Sequence, residues 1–176
     1  GNGAAELLYA ICRLPGYTGA FVPAPGFSEY KAALEASRIP VRDIYYRPRE
    51  DEHGKPYFEV PYLALETFAA ELKGQDGRII VFLGNPNNPD GTLLDKNHIR
   101  TIASMLKDAN SLLVIDESFI DFVGNDTLQD NEYSMRSLVN EFDNIIVVHS
   151  FTKFYAVPGL RIGAAFSNPL IIEQLN

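Results

Sequence analysis

Asn144–Gly163 reads NIIVVHSFTKFYAVPGLRIG. Its opening, Ile145–Val148, is a solid apolar run that reads as a strand buried on both faces, the form strands take inside a largely parallel sheet. Just beyond it stand Lys153 and, eight residues later, Arg161, with Pro158 and Gly159 marking a turn between them. RIIVFL (Arg78–Leu83) and LLVID (Leu112–Asp116) are apolar runs of the same kind. Amphipathic stretches alternate with such runs. Helices are predicted over Ala4–Arg13, Ser28–Ser37, Leu63–Lys73, Lys96–Ala109 and from Pro169 onward, and strands over Ala20–Pro23, Val41–Tyr46, Arg78–Leu83, Leu112–Asp116, Ile145–His149 and Ile162–Phe166. This alternation predicts a three-layer α/β/α domain with a mostly parallel central sheet and right-handed crossovers. The polar tract RPREDEHGKPYFEV reads as a surface loop or hairpin whose charges solvate it.

The 176 residues suffice for one domain with a sizeable core. A net charge of -8 argues against nucleic acid and against an anionic membrane surface, so a phosphate would have to be held by local groups. The single cysteine, Cys12, forms no internal disulfide and sits in an apolar helical pattern as a small buried hydrophobe. It fits a reducing compartment, and the expected location is cytoplasmic. No apolar run reaches the ~20 residues of a membrane helix. The chain opens on a glycine turn, GNGAAE, with no strand before it. It closes with Ser167 or Asn168 as an N-cap, Pro169 in the first turn, and no glycine to end the helix. Both ends read as cuts through a longer protein.

Ligands of open α/β sheets bind beyond the carboxyl ends of the strands. Three segments fall there: Asn85–Gly91, Asp116 and Ser150–Lys153. Lys153 is flanked by Phe151, Phe154 and Tyr155; partial burial and the Arg161 cation both favour a neutral, nucleophilic amine able to condense with an aldehyde. Asp116 ends an apolar strand, where an unpaired carboxylate costs several kcal/mol. It serves either as a cap or ion-pair partner or as the anion facing a pyridinium nitrogen. Glu117, Asp121 and a metal site compete for the same role, although no histidine lies nearby in sequence and no ligand spacing repeats. NPNNPDG at Asn85–Gly91 is a rigid turn, with Asn88–Pro89 a candidate cis bond and the Asn88 amide a candidate partner for a ring hydroxyl. The glycine turn at Gly1–Glu6 opens a helix, an arrangement that can cradle phosphate. Phe27, at the start of another helix, either packs in the core or stacks on a flat ring.

In this order, the glycine turn, the aromatic, Asn-Pro-x-Gly, Asp, Ser-x-Thr-Lys and Gly-Leu-Arg resemble the fold type I pyridoxal-phosphate enzymes, the aspartate aminotransferase superfamily. The resemblance runs along essentially the whole chain, which would be the middle of the large domain, with an N-terminal arm and a C-terminal small domain absent. Within the superfamily the chain looks most like the histidinol-phosphate aminotransferase branch. DESFIDF and TKFYAVPGLRIG look most like the threonine-phosphate decarboxylases of cobalamin synthesis, which carry Phe three residues after the Asp where the aminotransferases place Tyr. Here that residue is Phe119, which leaves Asn88 as the only contact to the ring oxygen. Pro158 likewise stands where the aminotransferases tend to have Ala.

The resemblance implies pyridoxal 5'-phosphate as cofactor, bonded covalently to Lys153. Asp116 would face the pyridine nitrogen and Phe27 would stack on the ring. The backbone N–H groups of Ala4 and Ala5, with Ser150, Thr152 and Arg161, would hold the phosphate. The turn departs from many relatives, which carry a hydroxyl or acid beside the glycine; only backbone contacts are implied there. Substrates would be small amino acids or phosphorylated amines, and the full-length protein a homodimer. Residues 1–176 alone would be inactive, because the arginine that binds the substrate carboxylate comes from the C-terminal domain. Three functions follow: a decarboxylase of a phosphorylated amino acid, an aminotransferase on histidinol phosphate or a related amino acid, and a non-catalytic cofactor-sensing domain.

Overall fold

The apolar runs form strands because side chains alternating across a pleat can all be buried only when both faces are covered. In the computed structural model, which describes residues 1–72, 76–123 and 132–175, both faces are covered. The elements are α1 (Gly3–Ile11), β1 (Tyr17–Ala24), α2 (Ser28–Ala36), β2 (Val41–Tyr45), β3 (Arg47–Glu50), β4 (Pro56–Glu59), α3 (Tyr62–Glu71), β5 (Arg78–Gly84), α4 (Lys96–Asp108), β6 (Leu112–Asp116), β7 (Ile145–Ser150), β8 (Gly163–Phe166) and α5 (Pro169–Leu175). Short 3-10 turns lie at Ile120–Phe122, Arg136–Asn140 and Pro158–Leu160.

Six strands make one sheet in the order β2-β1-β5-β6-β7-β8. All neighbours are parallel except β8, which runs antiparallel to β7 with Ser150 opposite Gly163. β3 and β4 form a separate antiparallel hairpin within the polar tract. All five predicted helices and all six predicted strands are present, with shifted ends. β1 starts three residues earlier than expected, and α1 ends at Ile11, so buried Cys12 and Arg13 fall in the turn after it. Lys73, the expected end of α3, lies outside the described residues.

Alternation sorts the core. On one face Ile80, Phe82, Val114, Ile146 and Val148 meet α1 and α2. On the other, Val81, Leu83, Ile115, Ile145 and Val147 meet α3, α4 and the 3-10 turn at 136–140. Each such side chain, fully buried, stabilises the fold by roughly 1.5–3 kcal/mol relative to exposure. α4 starts sharply because Asp95 accepts hydrogen bonds from Asn97 and His98 N–H at 2.9 and 3.0 Å. Asn168 caps α5, accepting from Ile171 N–H at 3.0 Å, while Ser167 donates instead to Ile145 O. β5, β6 and β7 therefore end side by side at one edge, with their following loops stacked above it.

Candidate active site

Asp116 continues the β6 alternation, so its carboxylate emerges on the α1/α2 face. There Tyr30, from α2, donates to Oδ2 at 3.0 Å, and Ser118 N–H donates to Oδ1 at 2.9 Å. Tyr30 is itself fixed, stacked on Phe82 with centroids 5.3 Å apart and edge-on to Phe27 at 5.6 Å. Burial and the Asp116 charge push the Tyr30 hydroxyl well above the ordinary phenol range, so it stays a donor. Asp116 is buried and held by neutral donors, which leaves its charge available to a cation placed before it.

Lys153 approaches the same place from the loop after β7. Its ammonium lies 4.7 Å from the centroid of Phe119, a cation–π distance. Partial burial lowers its pKa, the Asp116 carboxylate raises it, and the Arg161 charge lowers it; the net direction is down. Five residues picked out in the sequence, Phe27, Asn88, Asp116, Phe119 and Lys153, line one small hollow, together with Tyr30, Pro86 and Ser118. The Asn88–Pro89 bond is cis, as are Ala24–Pro25 and Asn85–Pro86.

Beside the hollow a second group assembles on two glycines. Gly3 opens α1 at φ +81°, and a Cβ there would lie 2.8 Å from Arg161 Nη2. A Cβ on Gly163 would meet the Ala4 nitrogen at 2.7 Å. The absence of side chains at both positions lets β8 press against the start of the helix and lets the Arg161 guanidinium lie over it. Gly163 N–H donates to Gly1 O at 3.1 Å, and the Gly1 nitrogen donates back to Gly163 O at 2.9 Å. Arg161 adopts the left-handed conformation, φ 48°, which costs a non-glycine residue about 1–3 kcal/mol. Ser150, opposite Gly163 across the strand pair, has its hydroxyl 2.9 Å from that of Thr152, and both residues are buried. No side chain caps α1, so the first-turn N–H groups of Ala4 and Ala5 have no cap to satisfy them. Backbone amides, two hydroxyls and a guanidinium together form a donor set suited to a dianion.

Two features were missed in the sequence. Tyr30 follows Phe27 by three residues, one helical turn along the same face, and that spacing was a usable signal. Glu117, weighed there as a competitor of Asp116, points to the opposite face. It is buried and accepts from Ser134 Oγ at 2.7 Å, Met135 N–H at 2.5 Å and Asn85 Nδ2 at 3.3 Å. Period-two alternation from Asp116 already places Glu117 there.

With this geometry in view, a sequence model of the family described as aminotransferase class I and II matches residues 1–176. The chain belongs to that family. It is similar to the threonine-phosphate decarboxylase of Salmonella typhimurium, with 32% identity over 93% of this chain and 40% of that protein. It is also similar to histidinol-phosphate aminotransferase 1 of Trichormus variabilis, with 30% identity over 99% of this chain and 43% of that protein. The histidinol-phosphate aminotransferase structure from Clostridium acetobutylicum shares its fold, with TM-score 0.78 and 24% identity over 99% of this chain and 46% of that one. The chain thus spans less than half the length of these family members. The three-layer architecture with its mostly parallel six-stranded sheet is that of this aminotransferase family.

Proposed function

We propose that this chain is the cofactor-binding core of a pyridoxal 5'-phosphate enzyme that acts on a phosphorylated amino acid, with threonine-phosphate decarboxylation as the reaction. The observation that carries the reading is that Lys153 and Asp116, from the ends of different strands, line one hollow walled by Phe27, with a dianion-sized donor set beside it. The residues present fit the cofactor by this chemistry. When bound, it supplies an aldehyde that condenses with amines and a ring that accepts electrons from the substrate α-carbon.

The roles are assigned residue by residue. Lys153 would be the amine that holds the aldehyde, and its Nζ would be the group placed to carry a proton at the substrate α-carbon. Asp116, oriented by Tyr30 and Ser118, would hold a protonated ring nitrogen. Phe27 would pack on the ring and the Asn88 amide would serve its oxygen. Ala4 and Ala5 N–H, Ser150, Thr152 and Arg161 hold the phosphate, Arg161 with its planar fork. These local donors offset the unfavourable net charge of -8.

The lean toward decarboxylation rests on likeness: Phe119, which stands against Lys153, is the residue type the threonine-phosphate decarboxylases carry where the aminotransferases place a tyrosine. The substrate-carboxylate anchor belongs to the longer protein, and residues 1–176 alone are inactive. The longer protein is a homodimer, its partner covering Phe122, Phe154, Leu160 and Ile162, which stand exposed on this chain. A cytoplasmic location accords with the buried free thiol of Cys12; no helix among the described residues is long and apolar enough to cross a membrane.

The test uses the full-length protein with added cofactor. Wild type is expected to develop a visible absorbance band that Lys153→Ala lacks; a band retained in the variant contradicts the reading. Release of carbon dioxide from O-phosphothreonine supports the decarboxylase, and amino transfer dependent on 2-oxoglutarate replaces it with the aminotransferase.

A further inference from the structure

Behind the hollow, on the α3/α4 face of the sheet, lies an ion pair with no part in the roles above. His149 follows Ile145 and Val147 in the β7 alternation, and its ring is wholly buried, edge-on to Phe151 at 4.6 Å. Its Nε2 lies 3.0 Å from Asp121 Oδ2, with the Asp121 side chain only 9% exposed. That approach is out of line for a hydrogen bond, and neither ring nitrogen has a hydrogen-bond partner among the described residues. A buried imidazole with a carboxylate beside it can exist neutral or protonated: burial favours the neutral form and the carboxylate the protonated one.

The two partners sit at informative places. Asp121 belongs to the 3-10 turn Ile120–Phe122, directly after Phe119. His149 is the penultimate residue of β7, four before Lys153. The pair therefore joins the turn carrying one wall of the hollow to the strand that delivers the amine, and Phe119 and Lys153 meet above it at 4.7 Å. We propose that His149 and Asp121 form a buried positioning pair for Lys153, in which protonation of His149 draws the Phe119 turn against the Lys153 strand. The proposal rests on the assignment of Lys153 as the cofactor-bonding amine.

The charged groups facing His149 set its titration. Burial lowers its pKa most; Asp121 raises it, Arg136 from the turn at 136–140 lowers it, and Asp116 at the end of β6 raises it. The net direction is below the ordinary 6.5, so His149 takes up its proton on acidification. A purely structural pair would move stability alone. A positioning pair also moves the environment of Lys153.

Two measurements on the full-length protein test this. First, in cofactor-free protein, NMR identifies the His149 ring as the histidine signal missing from His149→Gln. Its midpoint is expected below 6.5 and, in Asp121→Asn, lower by about one unit or more, as removal of an adjacent carboxylate requires. Second, the visible band of cofactor-loaded wild type is titrated. It is expected to show an inflection at the His149 midpoint that moves with Asp121→Asn and vanishes in His149→Gln. A band whose pH profile is the same in wild type and Asp121→Asn overturns the proposal, even if His149→Gln fails to fold. So does a His149 signal that does not respond to Asp121→Asn. No band in wild type removes the Lys153 assignment itself, and the proposal with it, an outcome distinct from the other two.

Discussion

Asp116 is fixed by two neutral donors, and the contribution of Tyr30 can be measured. Tyr30→Phe keeps the stacking on Phe82 and deletes one hydrogen bond to a carboxylate, worth about 1.5–3 kcal/mol. Cofactor affinity by equilibrium titration is expected to fall by roughly one order of magnitude. Arg161→Ala removes the fork from the dianion site at a cost of about 2–5 kcal/mol in cofactor binding; Arg161→Lys restores only part, because an ammonium does not match phosphate bidentately. The Lys153 pKa sits below 10.5 through partial burial, so the rate of cofactor capture is expected to rise with pH through a midpoint below that value. The sign for stability is the same: the unfolded lysine holds its proton more tightly, so the folded state gains as pH rises through that window. The gathering of these residues was legible, because a carboxylate such as Asp116 at the end of a buried strand needs a partner, and Lys153 and Arg161 stand in the loop that follows another such strand. Tyr30 was not singled out, because a tyrosine on an amphipathic helix normally needs no explanation beyond packing.

At the level of elements, the loops over the sheet edge are held by Glu117. One carboxylate ties Asn85, at the end of β5, to Ser134 and Met135, and Glu117 N–H donates to Val148 O of β7 at 2.7 Å. Burial raises the Glu117 pKa above the ordinary 4.5. A raised carboxylate binds a proton longer in the folded state, so its contribution to stability declines as pH rises from 4.5 through its folded value. Glu117→Ala leaves three buried donors unanswered and is expected to cost about 3 kcal/mol or more in denaturant unfolding. The β7–β8 turn depends instead on the missing Cβ atoms. Gly163→Ala would drive a methyl to 2.7 Å from the Ala4 nitrogen and is expected to separate β8 from α1, destabilising by about 1–3 kcal/mol and loosening the cofactor phosphate together. The strands were legible as apolar runs. The antiparallel direction of β8 was not, because pattern shows burial and not strand sense. Nor was the early start at Tyr17, because Tyr17–Gly19 is half-polar at the sheet margin.

Across the whole molecule, exposed apolar side chains lie in several places, Tyr45, Leu63 and Leu170 among them, and one group, Phe122, Phe154, Tyr155, Leu160 and Ile162, flanks the site. Phe122 meets Phe154 edge-on at 5.2 Å while both remain accessible, and Leu160 is 65% exposed. For the proposed full-length dimer, Leu160→Glu is expected to shift sedimentation toward monomer and to reduce cofactor retention. An unchanged dimer would remove this surface from the interface. The order of motifs along the sequence implied the whole arrangement, since a doubly covered parallel sheet gathers its strand ends at one edge. The buried His149–Asp121 pair escaped notice because its members are 28 positions apart and meet only through the β6–β7 pairing. The most direct test of the central claim is chemical. Full-length protein loaded with pyridoxal 5'-phosphate is reduced with borohydride, digested, and the labelled peptide sequenced. The label is expected on Lys153 within SFTKFYAVPGLR; a label on another lysine, or none, would contradict the account.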